Sequence, residues 1–594
     1  MRLFGIDLVL LHPPSVYDFR KVRAEYGPIS DVIFSSPAFE MYPIGLTSIA
    51  NHLEENGHNV RIVNVAHRMV SSEAYDAERA IARLNPAVFG IDLHWLPHAH
   101  GALELARIVK RHHPQTPVLL GGLSASYYHE ELIRSPFVDF VLRGDTTEEP
   151  TLRLVRAVLE GRSFDDIPNL TWKRPDATPV VNPLSFVPAD LDGDWIPNVF
   201  YVVRSVFKYG SLADVVPFTG WLEYPIMGLL TSRGCGMECA VCGGSRTSYQ
   251  AICNRPRPSV RSPETLVRDI GRLARFSRGP VFLIHDLRQP GAAWTDRFLA
   301  LVGGERPQNE IVMELFAPVR DDYMRRVGAA LPKWSLEITL ESHLPRIRHL
   351  NRRFDCDNEA IERTLREALE SGAGRVDLFF MVGLPGQTYD DAVGCADYCR
   401  SLLETFKGDR RLAFFVAPLA PFLDPGSAAF ENPEQFGYRV RFRTLEEHRV
   451  ALTAPSWKEM LNYETEWMTR DQIVAATYEA MRRLAAVKRA WGLLEEESYA
   501  STVGLIDASE QAVAALEAGK SVGAASAKLL ERAGGRRGNG FFQKNELYWP
   551  IGRRRFASLF SLAGVAAELA LREARLFTTR RLPLYFSGRE RASR

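Results

Sequence analysis

Residues 231–244 read Thr-Ser-Arg-Gly-Cys-Gly-Met-Glu-Cys-Ala-Val-Cys-Gly-Gly, which spaces three thiols as CxxxCxxC at Cys235, Cys239 and Cys242. Thiolates are soft ligands that suit zinc or iron–sulfur clusters. A structural zinc site takes four protein ligands, so a loop with three cysteines favours a [4Fe–4S] cluster that keeps one iron open for a small molecule. Two alternatives stay open: a zinc knuckle completed by a remote ligand, and buried thiols that pack as small hydrophobes.

The composition is that of an ordinary globular protein with roughly two to four domains. Of the 594 residues, 46% are hydrophobic and 24% are charged, and the net charge of +1 argues against a partner bound by bulk electrostatics. Seven cysteines in so long a chain do not indicate a disulfide framework. Cluster thiols need a reducing compartment, so we expect a cytoplasmic protein. We expect no signal peptide, because the apolar run at the N-terminus contains Asp7 and has no small-residue cleavage site. We expect no membrane span, because no uninterrupted apolar stretch of about eighteen residues occurs.

The first 160 residues alternate between strand and helix patterns. Apolar runs predict buried parallel strands over 3–11, 60–65, 88–93, 118–120 and 138–142. Helical patterns lie between them, over 44–55, 73–84, 99–112 and 148–160. Such alternation predicts a doubly wound, Rossmann-like sheet that binds its ligand beyond the carboxyl ends of the strands.

Four segments form a series along this region: His12-Pro-Pro-Ser15, Tyr42-Pro-Ile-Gly-Leu46, Gly121-Gly122 and Val138-Asp-Phe-Val-Leu-Arg-Gly-Asp145. The series resembles the cobalamin-binding domain that precedes the barrel in one large branch of radical S-adenosylmethionine (SAM) enzymes. The resemblance implies a set of cobalamin-binding residues, in which the paired glycines line the groove for the nucleotide tail: His12, Ser15, Gly121, Gly122, Ser124 and Gly144. The alternative is a flavodoxin-like sheet that binds nothing or another nucleotide.

The histidines of this region could suggest metal ligation. His12 lies roughly where methionine-synthase-type domains carry a cobalt ligand in the pattern DxHxxG, but it lacks the Asp and the Gly of that pattern. We therefore favour a strand-end histidine that bonds the backbone over a cobalt ligand. For His94, His98 and His100 we favour polar lining of the groove, because no acidic or Cys partner accompanies them.

The middle of the chain predicts a second α/β unit. Residues 161–225 read as a linker with short elements, and the unit follows over 226–443. Its strands are predicted over 226–232, 280–286, 310–316, 334–341, 375–383 and 411–417. Its helices are predicted over 263–275, 293–301, 321–329, 358–371 and 389–406. Six such repeats predict a partial (β/α)6 barrel with its site at the carboxyl-terminal mouth, where the cysteine loop, Asp286, Glu314 and Glu341 fall.

Three motifs of this unit resemble those of the radical SAM superfamily: the cysteine run, Leu336-Glu-Ile-Thr-Leu-Glu-Ser342 followed by Leu350-Asn351, and Phe379-Phe-Met-Val-Gly-Leu-Pro-Gly-Gln-Thr388. The resemblance implies that Cys235, Cys239 and Cys242 hold a [4Fe–4S] cluster and that SAM contacts Val241, Asp286, Glu341, Gly383 and Gly386. Val241 stands where an aromatic residue is usual, Gln387 replaces the usual Glu, and the GGE motif is absent, for which Asp286 could substitute. Phe422 and Asp424, in a Pro- and Gly-rich loop after the sixth strand, are substrate-pocket candidates.

Residues 444–594 predict a helical extension, with helices over 470–491 and 511–533. Its first part, 444–494, resembles the extension that follows the barrel in cobalamin-linked relatives. The last part is basic, and an apolar helix over 556–577 carries Arg572 and Arg575. Such a helix can contact a membrane surface or an anionic substrate, but a docking helix with a solvated basic edge is the commoner case. No nucleic-acid-binding module is recognisable, so we expect no nucleic-acid partner.

The resemblance covers roughly residues 1–490 and implies a cobalamin-dependent radical SAM enzyme with a [4Fe–4S] cluster, SAM and cobalamin as cofactors. In such enzymes a 5′-deoxyadenosyl radical removes hydrogen from an unactivated carbon, which then receives a methyl group from methylcobalamin. An electron donor such as flavodoxin or ferredoxin is implied as a partner. C-methylation of an unidentified small molecule or peptide is the first expectation, and ring formation or rearrangement is the second. A non-catalytic cobalamin sensor or carrier is disfavoured, because it would not need the thiols.

Overall fold

The computed structural model describes residues 5–21, 27–28, 38–193, 199–320, 322–419, 422–523, 526 and 541–581. The first sheet has seven strands in the order β2-β1-β3-β4-β5-β6-β7. They are β1 Ile6–His12, β2 Val60–Asn64, β3 Pro86–Asp92, β4 Val118–Gly121, β5 Phe140–Leu142, β6 Leu170–Lys173 and β7 Pro179–Val181. The first five are parallel, and β6 and β7 add antiparallel to the edge. The chain changes direction across the sheet between β1 and β3, where doubly wound sheets bind ligands.

Helices cover both faces of this sheet. They are α1 Ile44–Glu55, α2 Val65–Ser71, α3 Ala77–Ala82, α4 Ala99–His112, α5 Leu123–Tyr127, α6 His129–Leu132 and α7 Glu148–Glu160, with a 3₁₀ turn at Leu96–His98. The bounds of α1, α4 and α7 are the predicted ones; Gly161, at φ 64°, ends α7 in the left-handed conformation that glycine adopts easily. The helix predicted over 73–84 is shorter. The predicted first strand begins at Ile6, and residues 3–4 lie outside the described residues.

The segment predicted as a linker adds structure to the first domain. It supplies β6 and β7, followed by α8 Val199–Tyr209. Leu170 and Trp172 of β6 are buried in the core beside Phe140. Such short strands, separated by Pro and Asp residues, lack the sustained alternation that a sequence reading needs.

The second unit is the expected open barrel of six parallel strands, in the order β15-β14-β13-β12-β11-β8. The strands are β8 Met227–Leu230, β11 Val281–Ile284, β12 Ile311–Leu315, β13 Trp334–Glu341, β14 Val376–Val382 and β15 Leu412–Pro418. A small antiparallel pair, β9 Ser232–Arg233 and β10 Ser259–Val260, follows β8. The helices are α9 Arg246–Cys253, α10 Pro263–Ala274, α11 Ala292–Glu305, α12 Tyr323–Ala330, α13 Pro345–Leu350, α14 Asn358–Glu370, α15 Tyr389–Val393 and α16 Cys395–Thr405.

The C-terminal extension packs on the barrel. Its elements are α17 Ala428–Glu431, a 3₁₀ turn at Pro433–Phe436, β16 Tyr438–Val440, α18 Leu445–Ala451, α19 Trp457–Met460, β17 Tyr463–Thr465, α20 Arg470–Ala490, α21 Glu496–Glu517, α22 Lys544–Leu547 and α23 Leu559–Leu576, followed by a π-helical turn at Phe577–Arg581. The helix predicted over 470–491 is confirmed. The prediction of a helix over 511–533 is wrong as to its start and its end, because α21 begins at Glu496 and the chain leaves it at Gly519, φ 64°; residues 524–525 and 527–533 lie outside the described residues.

Within the described residues, none of the helices has the length and hydropathy that crossing a membrane requires. The basic helix α23 packs against the first domain: Arg572 pairs with Glu55, and Glu573 accepts from Arg204 at 3.4 Å. Membrane contact by this helix stays a prediction.

Candidate functional site

A cavity of about 540 Å³ lies between the carboxyl ends of the first sheet and the strands of the barrel. The sheet contributes Gly121, Gly122, Gly144 and His94 to its wall. The barrel side contributes Gly228, Leu230, Arg233 and His285. Most of the lining is apolar, so the cavity suits a large and largely apolar ligand held by a few polar groups.

The three glycines predicted to bind cobalamin all line this cavity, but they differ in what they permit. A Cβ atom on Gly121 would meet nothing nearer than the Leu142 carbonyl oxygen at 3.9 Å. Gly122 has φ 119°, and a Cβ there would lie 2.4 Å from the Cα atom of His94. Gly121 therefore leaves space toward the cavity. Position 122 requires glycine, because its φ is positive and its neighbours pack too closely for a Cβ atom.

The other three predicted cobalamin residues are absent from the cavity wall as described. His12 is fully buried, and its Nδ1 and Nε2 atoms lie 2.9 Å from Asp92 Oδ2 and 3.0 Å from the Phe39 carbonyl oxygen. Both ring nitrogens are engaged, so His12 is not placed to ligate cobalt and the alternative of a hydrogen-bonded strand-end histidine describes it. Ser15 donates its backbone N–H to Ala38, and Ser124 donates its hydroxyl to the His94 carbonyl oxygen.

The cysteine loop follows β9 at the barrel mouth, and hydrogen-bond donors surround its sulfurs. Cys239 is buried and Cys242 is exposed. The Sγ atom of Cys239 accepts from Arg353 Nη1 at 3.5 Å, and that of Cys235 accepts from Gln289 Nε2 at 3.7 Å. Burial raises the pKa of the Cys239 thiol, and the Arg353 guanidinium opposes that shift. Donors of this kind stabilise ligating thiolates, so the loop fits a cluster.

Among the described residues, no three His, Cys, Asp or Glu side chains are grouped so as to hold a single metal ion. In a [4Fe–4S] cluster each thiolate binds its own iron, so the ligands are spread more widely than around one ion. The predicted cluster ligands Cys235, Cys239 and Cys242 stay a prediction at this point.

Glu341, predicted to reach SAM, lies directly behind the cysteine loop. It is buried, has φ 65°, and accepts a hydrogen bond from Asn351 Nδ2. Its Oε1 atom is 3.7 Å from Arg353 Nε. Asn351 in turn accepts the backbone N–H of Ala240 through its own carbonyl oxygen at 2.9 Å. Burial raises the pKa of Glu341 against the opposing effect of Arg353. Strand β13 and the cysteine loop are therefore joined through one Asn and one Arg.

Asp286 has partners that occupy both carboxylate oxygens. Oδ1 accepts from the backbone N–H and Nε of Arg288, and Oδ2 accepts from Arg288 Nη2 at 2.6 Å and from the Phe316 N–H at 2.8 Å. The suggestion that Asp286 replaces the missing GGE motif therefore has no free oxygen to support it. Its contact with SAM stays a prediction.

Glu314 lies at the end of the neighbouring strand β12, and among the described residues its carboxylate has fewer hydrogen-bond donors than that of Asp286. Its Oε2 atom accepts the His285 N–H at 2.5 Å. Burial raises the pKa of Glu314 to about 7, and the His285 N–H and Arg353 oppose that shift. His285 has φ 95° and a buried Nδ1 atom for which the described residues supply no partner. Strained backbone and unpaired polar atoms gather at functional sites, so this pair belongs to the candidate site.

The remaining predicted SAM residues have structural explanations. Val241 is buried in the barrel core. A Cβ on Gly383, φ 101°, would collide with the Tyr463 hydroxyl, and one on Gly386, φ 74°, would collide with Leu350. Gln387 closes the loop by accepting the Gly383 N–H at 2.8 Å. These positions shape the loop after β14, and their contact with SAM stays a prediction.

The two substrate-pocket candidates separate in the structure. Phe422 is buried and its ring packs edge-on against His448, with centroids 5.0 Å apart, so it is a core residue. Asp424 is exposed, and its Oδ2 atom accepts the Gly243 N–H at 3.0 Å. Asp424 therefore lies beside the cysteine loop, and its role in a substrate pocket stays a prediction.

Two buried ion pairs join the first domain to the base of the cysteine loop. Arg233 Nη2 lies 2.6 Å from Glu148 Oε1, and both side chains are buried. Arg255 makes a two-pronged contact with Asp145, at 2.5 and 3.0 Å. Burial alone would raise the pKa of Glu148, but Arg233 and Ser48 reverse that effect and the pKa is lowered.

The sequence reasoning did not find Arg353, Gln289, Arg233 or His285. Arg353 follows Leu350-Asn351 in the fourth-strand signature, so its neighbourhood was visible in the sequence. Arg233 likewise lies in the cysteine run, two residues before Cys235. Gln289 and His285 had no recognisable signal, because the contacts that single them out join residues far apart in the chain.

Comparison with known proteins agrees with this geometry. A family model described as the B12 binding domain matches residues 30–152. The chain is 25% identical over 263 residues to hopanoid C-3 methylase of Methylococcus capsulatus, covering 43% of this chain and 45% of the relative. It is 24% identical over 347 residues to anaerobic magnesium-protoporphyrin IX monomethyl ester cyclase of Synechocystis, covering 56% and 63%. The chain thus spans less than half the length of the first relative and under two thirds of the second.

Two solved structures have the same fold. The radical S-adenosylmethionine methyltransferase TsrM of Kitasatospora setae superposes with a TM-score of 0.52 at 15% identity, over 83% of this chain and 89% of its own. The cobalamin-dependent S-adenosylmethionine radical enzyme OxsB superposes with a TM-score of 0.54 at 11% identity, over 98% and 81%. The chain therefore carries a B12-binding domain and has the fold of the cobalamin-dependent radical SAM enzymes.

Proposed function

We propose that this protein is a cobalamin-dependent radical SAM enzyme that methylates an unactivated carbon of its substrate. The observation that carries the proposal is the cavity of about 540 Å³, which joins the glycine-lined edge of the B12-binding domain to the mouth of the barrel. The cysteine loop opens at the same mouth, directly after Arg233 in the cavity wall.

The residues present fit the three cofactors of this class. When bound, the cluster and SAM supply a 5′-deoxyadenosyl radical and cobalamin supplies a methyl group. Cys235, Cys239 and Cys242 would hold the cluster. Gly121 leaves space for the corrinoid, since a Cβ there would stand 3.9 Å from its nearest neighbour.

The chain's own polar groups would orient the cofactors and exclude water. Arg353 contacts both Cys239 and Glu341, so it would tie the cluster ligand to the carboxylate expected to contact SAM. The buried Arg233–Glu148 ion pair joins the two domains, and it would fix the position of the cavity wall relative to the cysteine loop. Glu314 and His285 are the polar groups available at the mouth for proton transfer.

Methyl transfer is supported by the relatives, two of which are named as a methylase and a methyltransferase. A second candidate, cyclisation, is supported by the similarity to the protoporphyrin ester cyclase, which extends over 56% of this chain. Both reactions would need the same cofactors and a reductant of the flavodoxin or ferredoxin class.

The test uses the reconstituted protein with flavodoxin, SAM labelled in its methyl group with deuterium, and a small-molecule and peptide extract of the producing cells. A methyltransferase should yield a product that carries the intact labelled methyl group, with 5′-deoxyadenosine and S-adenosylhomocysteine in roughly equal amounts. Turnover that makes 5′-deoxyadenosine and an unlabelled product would establish the cyclase instead. Cys235→Ala, which removes a predicted cluster ligand, is the control that should produce neither.

A further inference from the structure

Four histidines surround the carboxyl ends of β1 and β3, and in three of them at least one ring nitrogen is already engaged. His12 binds Asp92 and the Phe39 carbonyl oxygen. His98 Nε2 lies 3.0 Å from the same carbonyl oxygen, and its buried Nδ1 atom has no hydrogen-bond partner among the described residues. His100 Nδ1 accepts the backbone N–H of Tyr17 at 3.2 Å. None of these three contributes to the described wall of the cavity.

His94 differs from the other three on both counts. It lies in the cavity wall next to Gly122, and no hydrogen bond to its ring nitrogens is found among the described residues. Its ring packs edge-on against Trp95, with centroids 4.9 Å apart. The imidazole therefore borders the ligand space with its lone pair uncommitted.

The backbone of His94 is fixed on three sides. Its N–H donates to Asp92 Oδ1 at 3.1 Å, and its carbonyl oxygen accepts from Ser124 N at 3.1 Å. Gly122 packs so closely that a Cβ would fall 2.4 Å from the His94 Cα. All three contacts use backbone atoms of His94, so the ring can be replaced without removing what positions the loop.

We propose that His94 supplies the nitrogen ligand to cobalt on the face of the corrinoid that is turned toward the first sheet; this rests on the proposed function. His94 follows β3 at the point where the sheet changes direction, beside the glycines that border the same cavity. A neutral imidazole is a good ligand for cobalt. No carboxylate of the described residues hydrogen-bonds the ring as one usually does to orient a metal-bound histidine, so the bond should be weaker than in a carboxylate–histidine–metal triad.

His285 provides the matched control, because it lines the same cavity from the opposite side. It lies on the barrel, and its Nδ1 atom is buried with no partner among the described residues. A ligand from His285 would approach the corrinoid on the face turned toward SAM. Replacing each histidine in turn therefore identifies the face from which nitrogen reaches cobalt.

The experiment loads the protein with cobinamide, a corrinoid that lacks the dimethylbenzimidazole base, and records the EPR spectrum of its Co(II) state. Any nitrogen splitting must then come from the protein. The wild type should show a triplet from ¹⁴N, which should become a doublet in protein labelled with ¹⁵N-histidine. His94→Ala should bind cobinamide, lose the splitting and regain it with added imidazole, whereas His285→Ala should keep it.

The outcomes separate this inference from the proposed function. Wild-type protein that binds cobinamide without nitrogen splitting, or His94→Ala that keeps the splitting, would overturn the inference and leave the function standing. Failure of the wild type to bind any corrinoid would overturn both. If His94→Ala itself does not retain cobinamide, the size-conserving His94→Gln provides the same comparison.

Discussion

Arg353 is the side chain through which the cysteine loop and strand β13 meet. Its guanidinium contacts Cys239 Sγ at 3.5 Å and Glu341 Oε1 at 3.7 Å, and it lies over the ring of Phe316. A buried positive charge beside a thiolate favours the more negative state of whatever the thiolate binds. The chemistry of the loop should therefore depend on this residue even though it ligates nothing.

Arg353→Met should make the reduction potential of the reconstituted cluster more negative. A unit charge at about 5 Å in an effective dielectric of about 20 corresponds to a shift on the order of 100 mV. A potentiometric titration followed by EPR measures the change. Arg352→Met is the matched control, because Arg352 is exposed and lies over Phe436, and it should leave the potential unchanged. Equal potentials for the wild type and Arg353→Met would contradict the assignment.

Gly121→Leu should abolish corrinoid binding and leave the fold intact. A Cβ at this position has room, since its nearest neighbour is 3.9 Å away, so the larger side chain enters the cavity. Gly122→Leu, in contrast, should unfold the domain, because the residue needs φ 119° and its Cβ would collide with His94. Circular dichroism and equilibrium dialysis with hydroxocobalamin distinguish the two. Binding by a folded Gly121→Leu would show that the ligand lies elsewhere.

Glu314 should make the stability of the cofactor-free protein fall as the pH rises from 4.5 to about 7. Its pKa is raised from 4.5 to about 7 by burial, so the folded state binds the proton more tightly than the unfolded state across that interval. The loss should reach about 3 kcal/mol at pH values above the folded pKa. Glu314→Gln should lack this dependence. Parallel pH profiles of unfolding free energy for the two proteins would refute the shift.

At the scale of elements, the start of α7 and strand β9 belong to different domains and meet through Glu148 and Arg233. Ser48 of α1 donates to the same carboxylate at 2.6 Å. Arg233 is followed at once by Gly234 and Cys235. The position of the cysteine loop is therefore set partly by a helix of the other domain.

Glu148→Gln should lower the free energy of unfolding by about 3–5 kcal/mol, because it removes the carboxylate charge that pairs with the buried Arg233 guanidinium. Glu149→Gln, which removes a partly exposed partner of Arg153, should cost less than about 1 kcal/mol. Denaturant titration gives both values. Since the pKa of Glu148 is lowered, the wild type should lose this stabilisation as the pH falls below 4.5, and Glu148→Gln should not. Equal stabilities of the two variants would contradict the interpretation.

At the scale of the whole molecule, the C-terminal extension packs against the amino-terminal ends of barrel strands β11 and β14. Trp549 is buried, its Nε1 atom donates to Asp377 Oδ2 at 2.6 Å, and its ring stacks on Phe282. Tyr548 stacks on Tyr224 with centroids 3.9 Å apart. The amino-terminal ends of strands β11 and β14, where Phe282 also borders the cavity, are therefore covered by a segment that follows α21 in the chain.

Trp549→Ala should destabilise the protein by about 3–5 kcal/mol through the cavity it leaves in the core. Trp549→Phe should cost about 1–3 kcal/mol, because it fills most of the space but leaves Asp377 without this donor. Trp467→Phe, at a partly exposed position, is the control and should have little effect. Chemical denaturation followed by fluorescence compares the three variants with the wild type. An unaltered denaturation midpoint for Trp549→Ala would mean that the C-terminal extension does not pack against the amino-terminal ends of the barrel strands.

The sequence by itself determined the elements and their class. Helices α1, α4 and α7 have the predicted bounds, and the six barrel strands lie where the apolar runs placed them. These features depend on local periodicity and on nearby Gly and Pro, which a single stretch of chain contains in full. The cysteine spacing and the paired glycines likewise needed no tertiary information to indicate cluster and corrinoid chemistry.

Only the tertiary structure decided which polar residues are free to act. In the sequence His12 stood nearest to the position of a cobalt ligand, yet both of its ring nitrogens are engaged. Of His12, His94, His98 and His100, His94 is the one that lines the cavity. The sequence suggested Asp286 as a carboxylate that contacts SAM, yet its Oδ2 atom already accepts hydrogen bonds from Arg288 and from the Phe316 N–H. A side chain's partners come from elements that are distant in the chain, and their approach depends on packing of the whole molecule. Burial, free lone pairs and pKa values are set by that approach and not by local sequence.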